Sequence, residues 1–93
     1  MKALIKEPKK PAVLIELPDG QQERMEQIQK LVGGWFELVR LSPQLGALVN
    51  EDGRMLGMKY NLFGLVGPIV FVGIGEDEFV DLPQDEPLLL EVI

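Results

Sequence analysis

The chain has 93 residues, enough for one small domain, and with 46% apolar and 26% charged residues it has the means to collapse around a core. It contains no histidine, cysteine or threonine, one serine and one tyrosine, which removes zinc sites, thiol chemistry, disulfides and nearly every nucleophile together with its base. The formal charge of −6 belongs to the second half, where residues 47–93 hold two basic and nine acidic side chains against seven and six in residues 1–46; nucleic acid is therefore not an expected partner.

Lys2, Leu4 and Lys6 alternate with Ala3 and Ile5, which predicts a strand, and Pro8-Lys9-Lys10-Pro11 punctuates it before a second strand over residues 12–17. Pro18-Asp19-Gly20 ends that strand. Asp19 stands three residues before Gln22, the spacing of a capping box, so a helix is expected to begin there. Met25, Ile28, Leu31 and Val32 recur at helical spacing, and Gly33-Gly34 supplies a left-handed stop, so the helix is amphipathic and covers one sheet face.

Residues 35–41 read as the next strand, with Phe36 and Leu38 on the core side and Trp35 and Glu37 on the other. Trp35 is then either covered by a later segment or left to anchor a partner. Residues 45–50, the turn Glu51-Asp52-Gly53 and residues 54–58 predict a hairpin, with Asp52-Gly53 as the turn dipeptide. Residues 69–74 are apolar on both faces apart from Gly73, which predicts the innermost strand, covered on one side by the helix and on the other by loops or another subunit.

Glu76-Asp77-Glu78, a short Phe79-Val80 segment, and Pro83 and Pro87 precede an apolar tail of Leu88, Leu89, Leu90, Val92 and Ile93. A two-sided strand and an apolar terminus in so short a chain raise the expectation of a homodimer. The expected fold is α+β: a mixed, mainly antiparallel sheet of about six strands with one amphipathic helix on a face, in the order β-β-α-β-β-β-β.

Candidate chemistry is sparse. Ser42 lies in Leu41-Ser42-Pro43-Gln44, which reads as a turn. Gly64, Gly67, Gly73 and Gly75 are not followed by the Lys-Ser or Lys-Thr of a phosphate loop and are expected to serve turns and close backbone approach. Glu76-Asp77-Glu78, and Asp77, Asp81 and Asp85 at four-residue spacing, lack the ligand pattern of a calcium loop and read as a solvated acidic face. No cofactor, metal or enzymatic activity is expected. Residues 60–75 form the longest uncharged run, short of the ~20 needed to span a bilayer, and residues 1–10 build no apolar signal region, so a cytoplasmic location is expected.

Several stretches taken together resemble a known family: Met1-Lys2-Ala3-Leu4-Ile5 with Pro8, Leu31-Val32-Gly33-Gly34, Glu37-Leu38-Val39, Val49-Asn50-Glu51-Asp52-Gly53, and Tyr60-Asn61-Leu62 leading to Gly67-Pro68-Ile69-Val70-Phe71-Val72-Gly73. Their order is similar to domain of unknown function 3846, small proteins of bacteriophages and bacterial mobile elements. The resemblance covers residues 1–82. It implies a small accessory protein and brings no catalytic residues. Members of that family finish on a charged helix, which Pro83 and Pro87 exclude here.

These readings lead to a non-enzymatic protein that binds and interferes with a host protein, with Trp35, Glu76, Asp77, Glu78 and Asp81 as the contact residues. An alternative is an oligomeric module that sequesters a small molecule or nucleotide signal, its phosphates held by Lys6, Lys9, Lys10, Arg40 and Arg54. A purely structural subunit is the third reading.

Overall fold

A computed structural model describes residues 1–92. In chain order it contains β1 (Lys2–Lys6), β2 (Val13–Glu16), α1 (Gln21–Val32), β3 (Phe36–Arg40), β4 (Leu45–Asn50), β5 (Ile69–Ile74), β6 (Phe79–Val80) and a closing 3₁₀ helix (Pro87–Glu91). The sheet runs β2-β1-β5-β4-β3, and every pairing is antiparallel. The sheet is thus of the expected mainly antiparallel kind with one helix on it, and β5 is its central strand. β1 pairs with the first half of β5, and β6 continues the same line beside Gly73 and Ile74. Lys2 stitches the two, its N–H donating to Asp81 Oδ1 (2.8 Å) and its carbonyl accepting from Leu82 N (3.2 Å).

The sixth strand is not the expected one. Residues 54–58 form turns rather than the return arm of a hairpin, and Phe79–Val80 completes the sheet instead. Asn50 is the reason. Its buried side chain donates from Nδ2 to the carbonyl of Val32 (3.1 Å) and accepts at Oδ1 from Asp52 N (2.8 Å). The turn is thereby closed onto the end of α1, and the chain leaves the sheet plane where a two-residue hairpin would have stayed in it.

The expected capping box is also absent. Gly20 is the N-cap with no side-chain bond, while Asp19 Oδ1 accepts from the Met1 ammonium (3.3 Å). A long-range charge contact has taken the local cap. At the other end Gly33 adopts φ 85°, and the N–H groups of Gly33 and Gly34 both reach the Gln29 carbonyl, the expected left-handed stop.

Alternation in β5 divides the core in two. On the helix side Val70 and Val72 join Ala3, Leu48, Ile28, Val32, Leu17 and Met1. On the opposite side Ile69 and Phe71 join Leu4, Leu45, Ala47, Val49, Leu89 and Val92, with Leu62, Phe63, Leu65 and Leu82 packed around them. Phe63 meets Phe71 edge-on, ring centroids 6.3 Å apart. The second face is therefore covered by the 51–68 excursion and by the C-terminal tail. Intramolecular cover answers both observations that had pointed to a homodimer. Pro87 occupies the start of the 3₁₀ helix, where its missing N–H costs nothing, and the Glu86 side chain caps Leu88 N. Ile93, the last residue of the apolar tail, lies outside the described residues.

Docking of the tail rests on Leu89 (7% exposed), not Leu90 (77% exposed). Leu89→Ala is expected to destabilise by about 2–4 kcal/mol and Leu90→Ala by under about 0.5 kcal/mol in urea titrations; equal costs would place the tail elsewhere.

The Met1 ammonium is held by Glu16, by the Leu17 carbonyl (2.8 Å) and by Asp19, and its pKa is raised above the ordinary value of 8.0, chiefly by the Glu16 hydrogen bond. A raised amine contributes stability that is whole below the unfolded value and is lost as pH climbs through the folded one. The melting temperature is expected to decline above pH 8 more steeply than in Glu16→Gln; parallel curves would exclude this contact as the source.

Candidate functional site

Only the C-terminal half of α1 is seated on the sheet, because Ile28 and Val32 are its buried residues. Gln21, Arg24 and Met25 stand off from it. Below them lie Phe36, Leu38 and Arg40 of β3, Ile74 of β5 and Phe79 of β6, and the space between is a cleft of about 590 Å³. β4 contributes Gly46 to this face, with no side chain to fill it. A Cβ there would lie 2.5 Å from Leu38 Cδ1 and 3.0 Å from Ile74 Cδ1, so these two side chains close over the glycine and floor the cleft.

The turn after β5 is tight, with Gly75 N donating to the Glu78 carbonyl (2.8 Å), and it presents Glu76, Asp77 and Glu78 at one lip. Arg24 and Arg40 stand on the rim, donating to the carbonyls of Asp19 (3.5 Å) and Pro43 (3.3 Å) respectively. Among the described residues none of these five charges is in an ion pair. The result is an apolar floor with unspent charge of both signs around it, within the size range of ligand sites.

The cleft adjoins an open sheet edge. Trp35 and Leu41 exchange hydrogen bonds with β4 and its flanks, Glu51 N donating to the Trp35 carbonyl (3.0 Å) and Leu41 N to Leu45 O (2.9 Å). The antiparallel alternation then turns the backbone groups of Glu37 and Val39 inward and those of Phe36, Leu38 and Arg40 outward. Those outward residues are the ones whose side chains line the cleft, Phe36 and Leu38 on its apolar side and Arg40 on its rim. On the other face a smaller cavity of about 160 Å³ opens beside Glu37 and Val49.

Of the residues singled out from sequence, Glu76, Asp77, Glu78 and Arg40 are brought together around the cleft. Trp35 is 66% exposed at the head of β3, where the alternation puts it on the opposite face with Glu37. Asp81 is turned to the backbone of Lys2, away from the acidic lip. The basic residues are dispersed: Lys6 Nζ donates to the Glu7 carbonyl and to Asn61 Oδ1, Lys10 pairs with Glu7 (3.6 Å), Lys9 sits in the β1–β2 turn, and Arg54 is bound to the Gly64 carbonyl (2.7 Å). Ser42 orders its turn by accepting from Leu45 N (3.1 Å) and donates to Glu86 Oε2 (2.7 Å). Leu38 was expected in the core. Because α1 seats only its C-terminal half on the sheet, Leu38 is left 40% exposed and belongs to the cleft, as do Met25, which helical spacing placed on the sheet-covering stripe, and Phe79, which was given no role.

Among the described residues there is no group of three or more acidic side chains placed to hold a metal ion, and no helix is long and apolar enough to cross a membrane. What the architecture defines is a small α+β protein built on an open antiparallel sheet with a single covering helix and a cleft beneath its free end. The chain belongs to the family described as Domain of unknown function (DUF3846), whose model matches residues 1–91. No curated protein and no solved structure matches it.

The acidic lip is held in place by Gly73. A Cβ there would lie 2.1 Å from the Asp81 carbonyl oxygen, because the chain crosses at that point from the sheet edge onto the second face. Gly73→Ala is expected to detach β6 and lower the melting temperature by several degrees, whereas Gly46→Ala meets only side-chain ends and costs less. Thermal unfolding with amide chemical shifts of residues 76–80 decides; unmoved shifts in Gly73→Ala would show that the crossing does not depend on the glycine.

Proposed function

We propose that this protein is a non-enzymatic binding protein that captures an extended segment of a partner protein along the β3 edge and in the adjoining cleft. The observation that carries the reading is that Phe36, Leu38 and Arg40 present open backbone and also line the cleft, apolar at Phe36 and Leu38 and charged at Arg40. A strand added there satisfies the edge with main-chain hydrogen bonds and lowers every second side chain onto the cleft side. Its remaining side chains meet Trp35 and Glu37 on the other face. Glu76, Asp77 and Glu78 favour a segment that carries lysine or arginine.

The resemblance to small proteins of phages and mobile elements adds the reading that the captured partner is a host protein and the site of action the host cytoplasm. Nucleotide sequestration has less support, since the basic residues are scattered and three carboxylates share the rim with Arg24 and Arg40.

Selection from a random-peptide library, followed by calorimetric titration, tests the reading. Peptides with alternating apolar residues and at least one basic residue are expected. Leu38→Asp should weaken them at least tenfold, about 1.4 kcal/mol, and Trp35→Ala by less. Failure to enrich any peptide, or peptides that bind Leu38→Asp and wild type alike, would overturn it.

A further inference from the structure

The sheet has a second open edge, β2, and nothing in the cleft reading uses it. Met1 and Leu17 exchange hydrogen bonds in both directions, so the alternation turns the backbone groups of Val13 and Ile15 toward β1 and those of Ala12, Leu14 and Glu16 outward. Val13 and Leu14 are 55% and 63% exposed. An open edge that carries two large apolar side chains is a site for another strand.

We infer that this edge pairs with its own copy, β2 against β2 in antiparallel fashion, about a two-fold axis through Leu14. In that register Leu14 faces Leu14 of the partner subunit on one face, and Val13 faces the partner's Ile15 on the other. Glu16 stands opposite the partner's Ala12, so no like charges are opposed. Pairing stays within residues 12–16. Sliding the copies one way sets Leu14 against the carboxylate of Glu16, and sliding them the other way draws Pro11 into the ladder. Pro18, without an N–H, ends the run of outward donors.

Charge complements the register. At each end of the ladder, the exposed carboxylates of Glu16 and Asp19 in one copy, which also hold its Met1 ammonium, lie toward the turn of the other copy, where Lys10 pairs with Glu7 and Lys9 is in no ion pair among the described residues. The same patch meets itself, so the contact closes after two copies instead of propagating. A ladder this short buries less than the ~1,600 Å² of a standard interface, so the association is expected to be weak and concentration-dependent. The partner's sheet continues the first across the axis and leaves both β3 edges and both clefts at the far ends.

Sedimentation equilibrium on wild type, Leu14→Lys and Leu14→Glu, and on an equimolar mixture of the two variants, tests the inference over concentrations reaching the high-micromolar range. Wild type is expected to reach dimer mass, each variant alone to remain monomeric, and the mixture to regain dimer mass. Leu14 is exposed, so all three proteins should melt within a few degrees of one another. A wild type that stays monomeric throughout, a Leu14→Lys protein that associates as well as wild type, or a mixture no heavier than its components would overturn it. Peptide binding at the cleft is read separately, so loss of one reading leaves the other standing.

Discussion

The structure depends on one strand that must be dry on both sides. β5 carries Val70 and Val72 toward one face and Ile69 and Phe71 toward the other, all fully buried, and it sits in the middle of the sheet. A 93-residue chain with one helix can cover only one of those faces with regular structure. The second face is closed by what remains: the 51–68 excursion, which brings Leu62, Phe63 and Leu65, and the tail, which brings Leu82, Leu89 and Val92. Irregular segments serve here because their polar backbone finds specific partners. Asn61 binds the carbonyls of Lys6 (2.7 Å) and Gly67 (2.8 Å), and Ser42 ties the β3–β4 turn to Glu86.

Coverage by a single short helix is incomplete, and the incompleteness is what leaves the cleft open. α1 spans β3, β4 and β5 but seats only its C-terminal half, so the end of the helix-side face stays open above Leu38, Gly46 and Ile74. An open sheet also has two edges, and among the described residues no further strand pairs with either outer strand, β2 or β3. The cleft and the edges arise from the same shortage of chain.

Much of the fold was legible in order along the chain. Alternation located β1 and β3, an apolar run between prolines located β2, the Asp52-Gly53 turn signal located β4, helical spacing and paired glycines bounded α1, and unbroken apolarity marked β5 as central. The errors fell where a distant group outbid a local signal. Asp52-Gly53 is a hairpin dipeptide, but Asn50 joined the turn to the carbonyl of Val32, eighteen residues back, and the predicted return strand became part of the cover. Asp19 had the spacing of a helix cap, and the Met1 ammonium claimed its carboxylate. The acidic lip and Arg40 were visible as charges, whereas the apolar floor is gathered from α1, β3, β5 and β6, with nothing in any one segment to announce it.

Residue order alone determined β1 to β5 and the helix, which strand is innermost, and that thiol and imidazole chemistry are closed to the chain. These follow from local periodicity and from composition. Tertiary structure decided what covers the second face of β5, that the sixth strand is Phe79–Val80, and that Leu38, Met25 and Phe79 share a cleft with Arg40 and the acidic turn. The physical reason is that an apolar period records which side of an element must be kept from water, while the group that excludes the water is chosen by packing across the whole chain.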